Sequence, residues 1–549
     1  MQAQALIDEY VDRWRGFYPT KAFANGDVAS AAAFENFDPE VVRGWLSFND
    51  AAGSRARALL LNDARLSDNA AVDLQVLADA ATNERADWDV DRYLTAQPQW
   101  YAEQISQALT HLLVREQLTA AERSRAAVVR LRGVVDLCRI AKENLREGNA
   151  LRTRRAIEVL DGTRRFYEGQ LAESVDEWPD AENLQGAIAD TARALASLGE
   201  FLEESLLPRA RAPIALGSEI YSDKLKRRSQ GSDSPEQLAE SALAEISAVR
   251  GLMIDEAGRW QSTLGSAGAG LAGEALLTRA LEVMENDRQE NAADFLNEFR
   301  EQTIAAERFV DEHSIASIPK PTTLYVALSP AYFSGAAVGG VYPSGPFAPT
   351  AKTLFFLPSI PDSAPQEAKE GFYRSFNTHF NTMIISHEMF PGHYLQYKVA
   401  VSEAPAIRSL FADDAYVEGW GSFVEELMLD EGWADNAPLT RLAHLRKRLE
   451  NATRAYVSVK VHTKGWGREK VAAFAIEEGL LAPQFAENLW LRVVHSPMQI
   501  TDYFRGYQRI KTLFVSRAPD RPLGEWVDTL LRAGPVPLPI LERLMQAPL

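Results

Sequence analysis

A single cysteine, Cys138, occurs in 549 residues, so no internal disulfide can form and no Cys-based structural zinc site can be built. No run approaches the ~20 apolar residues that a membrane-spanning helix requires. Basic residues are in deficit. The 58 Lys and Arg stand against 76 Asp and Glu, a net charge of −18, which argues against nucleic acid as a partner. The opening MQAQALIDEYVDRWRGFYP carries acidic residues early and lacks an apolar segment with a small-residue cleavage site, so it does not read as a secretory leader. With one thiol and no apolar span, these features predict a cytoplasmic protein. Apolar content of 46% and charged content of 24% are ordinary for globular chains, and the length suggests about two to four packed units. Oligomeric state is not encoded in any of these features.

Organisation follows from texture. Residues 1–207 read as helix after helix, with apolar residues three and four apart in segments rich in Ala, Leu, Arg and Glu. AAERSRAAVVRLRGVVDLCRIAKENLREG is one such segment, with Gly148 as its expected C-cap. Prolines 208 and 213 break the pattern, and KLKRRSQGSDSPEQ reads as a linker or loop before a helix opened by Ser234-Pro235. The remainder, 214–549, forms a second region. Within it, 317–362 changes to β-branched, aromatic, proline and glycine residues, predicting two or three short strands (TTLYVAL, KTLFFLP) around a glycine-rich loop, 334–346. The fold class expected is mainly α: a large helical body enclosing a cleft, with a small β element before a metal-binding helix.

Two of only eight histidines fall within His387-Glu388-Met389-Phe390-Pro391-Gly392-His393. A histidine pair beside a carboxylate is what holding Zn²⁺ and activating its water demands. On a regular helix, residues four apart diverge by about 40°, but residues six apart diverge by about 120°. Pro391 withholds an N–H and Gly392 tolerates unusual dihedrals, so the pair predicts a widened turn that brings His393 back beside His387. A zinc site needs a third protein ligand and an open position. Glu418, in DDAYVEGWGSFVEE, is the best candidate, and Glu425, seven residues on along the same helical face, is placed to orient a ligating imidazole. The expected metal region is therefore 387–425. Zinc is the expected cofactor, with another divalent ion also allowed.

HEMFPGHYLQ resembles the H-E-x-x-P-G-H-x-x-Q signature of the domain-of-unknown-function family 885, which looks like a branch of the gluzincin metallopeptidases. LGSEIYSDKL, VEGWGSFVEEL, VHTKGWGREKVAAF and SPMQITDYFRG resemble further elements of that family, in order, over about 215–515. Ser458, Gly421, Phe423 and Asp502 depart from the usual pattern. The resemblance implies Glu418 as third ligand and a peptidase of oligopeptides or dipeptides.

In that chemistry Glu388 is the general base, passing a proton from water to the leaving amine. Tyr503 and His462 are the expected oxyanion donors, with Tyr507 a second possibility. Arg505 is a possible clamp for a substrate C-terminal carboxylate. KTLFFLP offers a strand edge for an extended peptide, and the 334–346 loop a cover for the cleft. His379, His444 and His495 receive no role. Two alternatives stand beside the peptidase: a zinc hydrolase of a non-peptide amide or ester, and a helical binding protein with a vestigial metal site. Retention of Glu388 argues against the last, because a structural ion needs no adjacent base.

Overall fold

The computed structural model describes residues 2–546 apart from 64, 176–177, 265–269 and 330–339. The chain is mainly helical, with three short strands among the described residues. It divides into two compact units: Met1–Ile214 with Gly345–Pro349, and Ala215–Ser344 with Thr350–Leu549.

In the first unit, helices begin where the side chains can satisfy exposed backbone N–H groups. Asp38 caps Pro39–Asn62, Ser67 caps Asp68–Asp91, and Asn149 caps Ala150–Phe166. Thr119 and Glu122 form a reciprocal capping box at the start of Ala120–Asn144. That helix ends at Leu145, three residues before the glycine expected to cap it. An aromatic core surrounds Glu84. Its carboxylate accepts from the indoles of Trp45 and Trp88 at 3.0 Å each, and from the hydroxyl of Tyr18.

The second unit carries the metal-site residues. Ser218–Arg228 (α1) runs into the segment expected to be a linker or loop, covering its first residues, 224–228, and leaving 229–234 irregular. Its Arg228 explains the order, pairing with Asp502 at 3.0 Å and Asp414 at 2.6 Å. Ser234 caps Pro235–Thr263 (α2) as expected, accepting from the N–H of Gln237. Thr378–Glu388 (α3) and His393–Glu403 (α4) are consecutive, followed by Asp414–Asp430 (α5) and the long Pro438–Lys464 (α6). Pro483–His495 (α7) and Gln499–Val515 (α8) complete the set around the site. Leu442, Leu449, Ala452 and Val459 of α6 pack in one buried cluster with Leu238, Ala242, Ile246 and Met253 of α2. These positions recur at three and four residues, the stripe that an α-helix buries.

The strands form one sheet, ordered Leu324–Leu328 (β1), Thr353–Leu357 (β3), Gly340–Tyr342 (β2). β3 pairs parallel to β1 and antiparallel to β2. Thr353–Leu357 of KTLFFLP is therefore the central strand, buried along its length and paired on both sides, so it is not an edge offered to a peptide. Its unbroken apolar run is what a strand covered on both faces requires. Residues 334–339 of the expected 334–346 loop lie outside the described residues, and its 340–342 part forms β2. The sheet reaches the metal region through α4, where the Tyr394 hydroxyl accepts from the N–H of Thr323 at 2.9 Å.

Candidate metal centre

The seven-residue motif does not widen a helical turn; it breaks the helix. α3 stops at Glu388, the chain turns through 389–392, and α4 starts at His393. Gly392 is needed for close approach: a Cβ there would lie 1.9 Å from the carbonyl oxygen of His387. The turn is fastened to α5 by Trp420, whose fully buried indole N–H donates to the Pro391 carbonyl at 2.9 Å. Proline makes this possible because the helix could not have continued through it.

Two histidines on separate helices thus meet at one point. Their ring centroids are 4.6 Å apart and their planes nearly perpendicular. Glu418 Oε2 lies 3.6 Å from His387 Nε2 and 3.5 Å from His393 Nε2. One donor atom from each residue fits within a 4.8 Å span. Tetrahedral zinc with bonds of ~2.0–2.1 Å sets its ligand atoms roughly 3.3 Å apart, so the three residues are spaced for one ion with little adjustment. Both histidines are buried, and Glu418 remains partly open, its side chain 20% exposed.

The second imidazole nitrogens are also held. His387 Nδ1 lies 2.8 Å from Glu425 Oε1, and His393 Nδ1 lies 3.3 Å from Gln396 Oε1. Such contacts orient ligating rings and make them better donors. The other oxygen of Glu425 lies 2.9 Å from His444 Nδ1 on α6, so one buried carboxylate bridges two histidines. Sequence reasoning gave His444 no role, because nothing local indicates that α6 packs it against α5.

Charge follows this geometry. Burial opposes ionisation of Glu418, but hydrogen bonds and charge from His387 and His393 outweigh it and hold the carboxyl well below its usual range. Burial likewise opposes charge on His387, yet Glu418 and Glu425 raise its pKa to about 10. The carboxylates that would favour a bound cation thus favour the protonated ring as well.

Close backbone contacts set the remaining positions. A Cβ on Gly421 would fall 2.7 Å from His387 Cε1, so α5 passes flush against that ring. A Cβ on Gly506 of α8 would fall 1.8 Å from the Ala415 carbonyl oxygen, and one on Gly419 would fall 2.4 Å from Gly506. This crossing puts Tyr503, about one turn before Gly506, in the neighbourhood of Glu418, next to Gly419. Burial raises the Tyr503 hydroxyl's pKa, and the charge of Glu418 raises it further. Gln499 donates to Tyr503 Oη at 3.2 Å, which leaves the tyrosine O–H free to donate. Ser422, Glu425, His444, Asn451 and Tyr503 line one small cavity beside the ligands.

Tyr397 was missed. Its ring lies 6.0 Å from that of His393. Burial raises its pKa, with Glu418, Asp414, Glu388 and Tyr503 adding to the effect. The available signal was its position, four residues after His393 on the same helical face. Glu388, at the end of α3, is partly exposed.

Three expectations are corrected. His462 is not an oxyanion donor: Nδ1 accepts from the Leu216 N–H at 3.3 Å, Nε2 donates to the Val493 carbonyl at 3.0 Å, and the ring stacks on Tyr221. Arg505 is not a substrate clamp, because it is buried against Asp233 and Asp502, each at 2.7 Å. Tyr507 is taken by Glu426, to which its hydroxyl donates at 2.6 Å.

The family model described as "Bacterial protein of unknown function (DUF885)" matches residues 19–545, so the likeness runs through the N-terminal helices as well. The fold is shared with a "putative lipoprotein of unknown function" from Shewanella oneidensis, at a TM-score of 0.81 and 20% identity over 99% of this chain and 100% of that one. It is shared also with a "putative lipoprotein" from Colwellia psychrerythraea, at 0.73 and 17% over 99% and 98%. No curated protein matches. The expectation of a cytoplasmic protein is contradicted by these descriptions, since the two structures named here are each called a "putative lipoprotein". A lone thiol and missing apolar runs are compatible with other compartments, which is why composition misled. Among the described residues no helix is long and apolar enough to cross a membrane.

Proposed function

Because the chain belongs to the DUF885 family of bacterial proteins of unknown function, its chemistry has to be read from the site, and we propose a zinc-dependent peptidase of the gluzincin type acting on oligopeptides or dipeptides. The observation that carries this reading is the meeting of His387, His393 and Glu418, with Glu425 behind the first ring. Two imidazoles and one carboxylate are a donor set typical of catalytic rather than structural zinc, because three protein ligands leave a position open. When bound, zinc supplies Lewis-acid activation of water and of the carbonyl under attack.

The chain's own groups supply the rest. Glu388 takes the proton of the attacking water and returns it to the departing amine. Tyr503 and Tyr397 are neutral near pH 7, since their pKa values are raised, and can donate hydrogen bonds to the oxyanion. Glu425 and Gln396 keep the two histidines aimed at the ion.

Elemental analysis with chelator-sensitive peptide hydrolysis tests this reading. His387→Ala is expected to lose the metal. Glu388→Gln is expected to keep it while turnover falls about 10²–10⁴-fold. Undiminished turnover in Glu388→Gln would remove the proposed base. Cleavage of esters or simple amides with no peptide turnover would shift the reading to a non-peptide hydrolase.

A further inference from the structure

The chain carries an excess of negative charge, yet cations gather next to its metal ligands. Lys447 and Arg454 lie seven residues apart on one face of α6, and both pair with Glu450, Lys447 at 3.6 Å. Arg492, exposed on α7, lies close enough for its charge to act on both Glu450 and Arg454. Two cations therefore share one carboxylate, and the charge of Arg492 acts on the same group.

Arg454 is the telling member. Only 7% exposed, it donates from Nη1 to Asn451 at 3.3 Å, and its Nε is buried with no acceptor. Asn451 lines the small cavity that Tyr503, Glu425 and His444 also line, so the partner of Arg454 shares a cavity with the carboxylate that holds His387. A buried guanidinium N–H without an acceptor is a costly state that an anionic ligand relieves. Glu418 and Tyr503 are both close enough to act on the charge of Arg454.

We propose that Arg454, with Lys447 and Arg492, forms a carboxylate-binding subsite beside the metal ligands, so that the enzyme selects peptides by their free C-terminal carboxylate. This takes over the role that sequence alone had offered to Arg505, and it rests on the hydrolase reading above. The consequence is cleavage near the C-terminus.

The test is binding of N-acetyl-trialanine and of its C-terminal amide to the full chain by calorimetry, both zinc-loaded and chelated. The acid is expected to bind about 10- to 100-fold more tightly than the amide in both states, as a charge-assisted bond to arginine implies. Arg454→Met should abolish that preference, and Arg492→Gln, at an exposed position, should reduce it several-fold without a change in unfolding temperature. Equal binding of acid and amide, a preference that vanishes on chelation, or one that survives in Arg492→Gln and in folded Arg454→Met would each overturn the subsite. Turnover separates the two readings. Acid preference without cleavage of either peptide would leave the subsite and remove the peptidase. Cleavage of both at equal KM would do the reverse.

Discussion

Glu425 commits both carboxylate oxygens to imidazoles, 2.8 Å from His387 and 2.9 Å from His444, and is almost wholly buried. An amide cannot accept from both rings, so Glu425→Gln should lower zinc affinity about 10–100-fold, measured by competition with a chromophoric chelator. His387 sets the pH dependence. Its folded pKa, about 10, lies above the ordinary 6.5. The stabilisation from its proton is therefore complete below that ordinary value and is lost as pH rises through about 10. Zinc competes for the same nitrogen, so affinity should rise from pH 6 to pH 8, with proton release detected by calorimetry in buffers of different ionisation heat. The meeting of His387 and His393 was legible in the sequence because histidines are few and two share seven residues with a glutamate. Glu425 was legible from its spacing to Glu418. His444, Tyr397 and Arg454 were not, since each gains its meaning from packing between elements distant in sequence. His462 and Arg505 misled for a related reason: a motif does not reveal that a backbone carbonyl or an acidic partner already satisfies the side chain.

Helices and strands were readable as types more than as arrangements. The stripe on α6 and the cap at Ser234 are local properties, and they appear where expected. The broken α3–α4 pair was read as a widened turn, because Pro391-Gly392 fits either outcome until Trp420 of another helix binds the intervening carbonyl. β3 was recognised as a strand, but its central place depends on pairing with partners before it in the chain. The α5–α8 crossing left no local signal beyond two glycines. Gly506→Ala should force these helices apart, lowering stability by at least about 1–3 kcal/mol in denaturant titrations. Turnover should fall further than zinc content does, because Tyr503 moves with α8 while all three ligands lie on other helices.

At the scale of the whole molecule, the candidate ligands and the groups around them belong to the second unit, and His387 and His393 reach the same point from two rods joined by four residues. Zinc that binds only the folded chain should stabilise it by about 2.7 kcal/mol at a hundredfold excess over its dissociation constant. The unfolding temperature should then rise on loading and fall on chelation. That gain has an address. An ion gripping both histidines and Glu418 acts as a rivet through the elbow at 389–392, whereas the empty elbow relies on an indole and on tight backbone contact for its shape. Amide exchange at that elbow should accelerate when the rivet is withdrawn, while the crossing of Gly419 and Gly506 stays protected. The protein would then report its own metal loading through the stiffness of one bend.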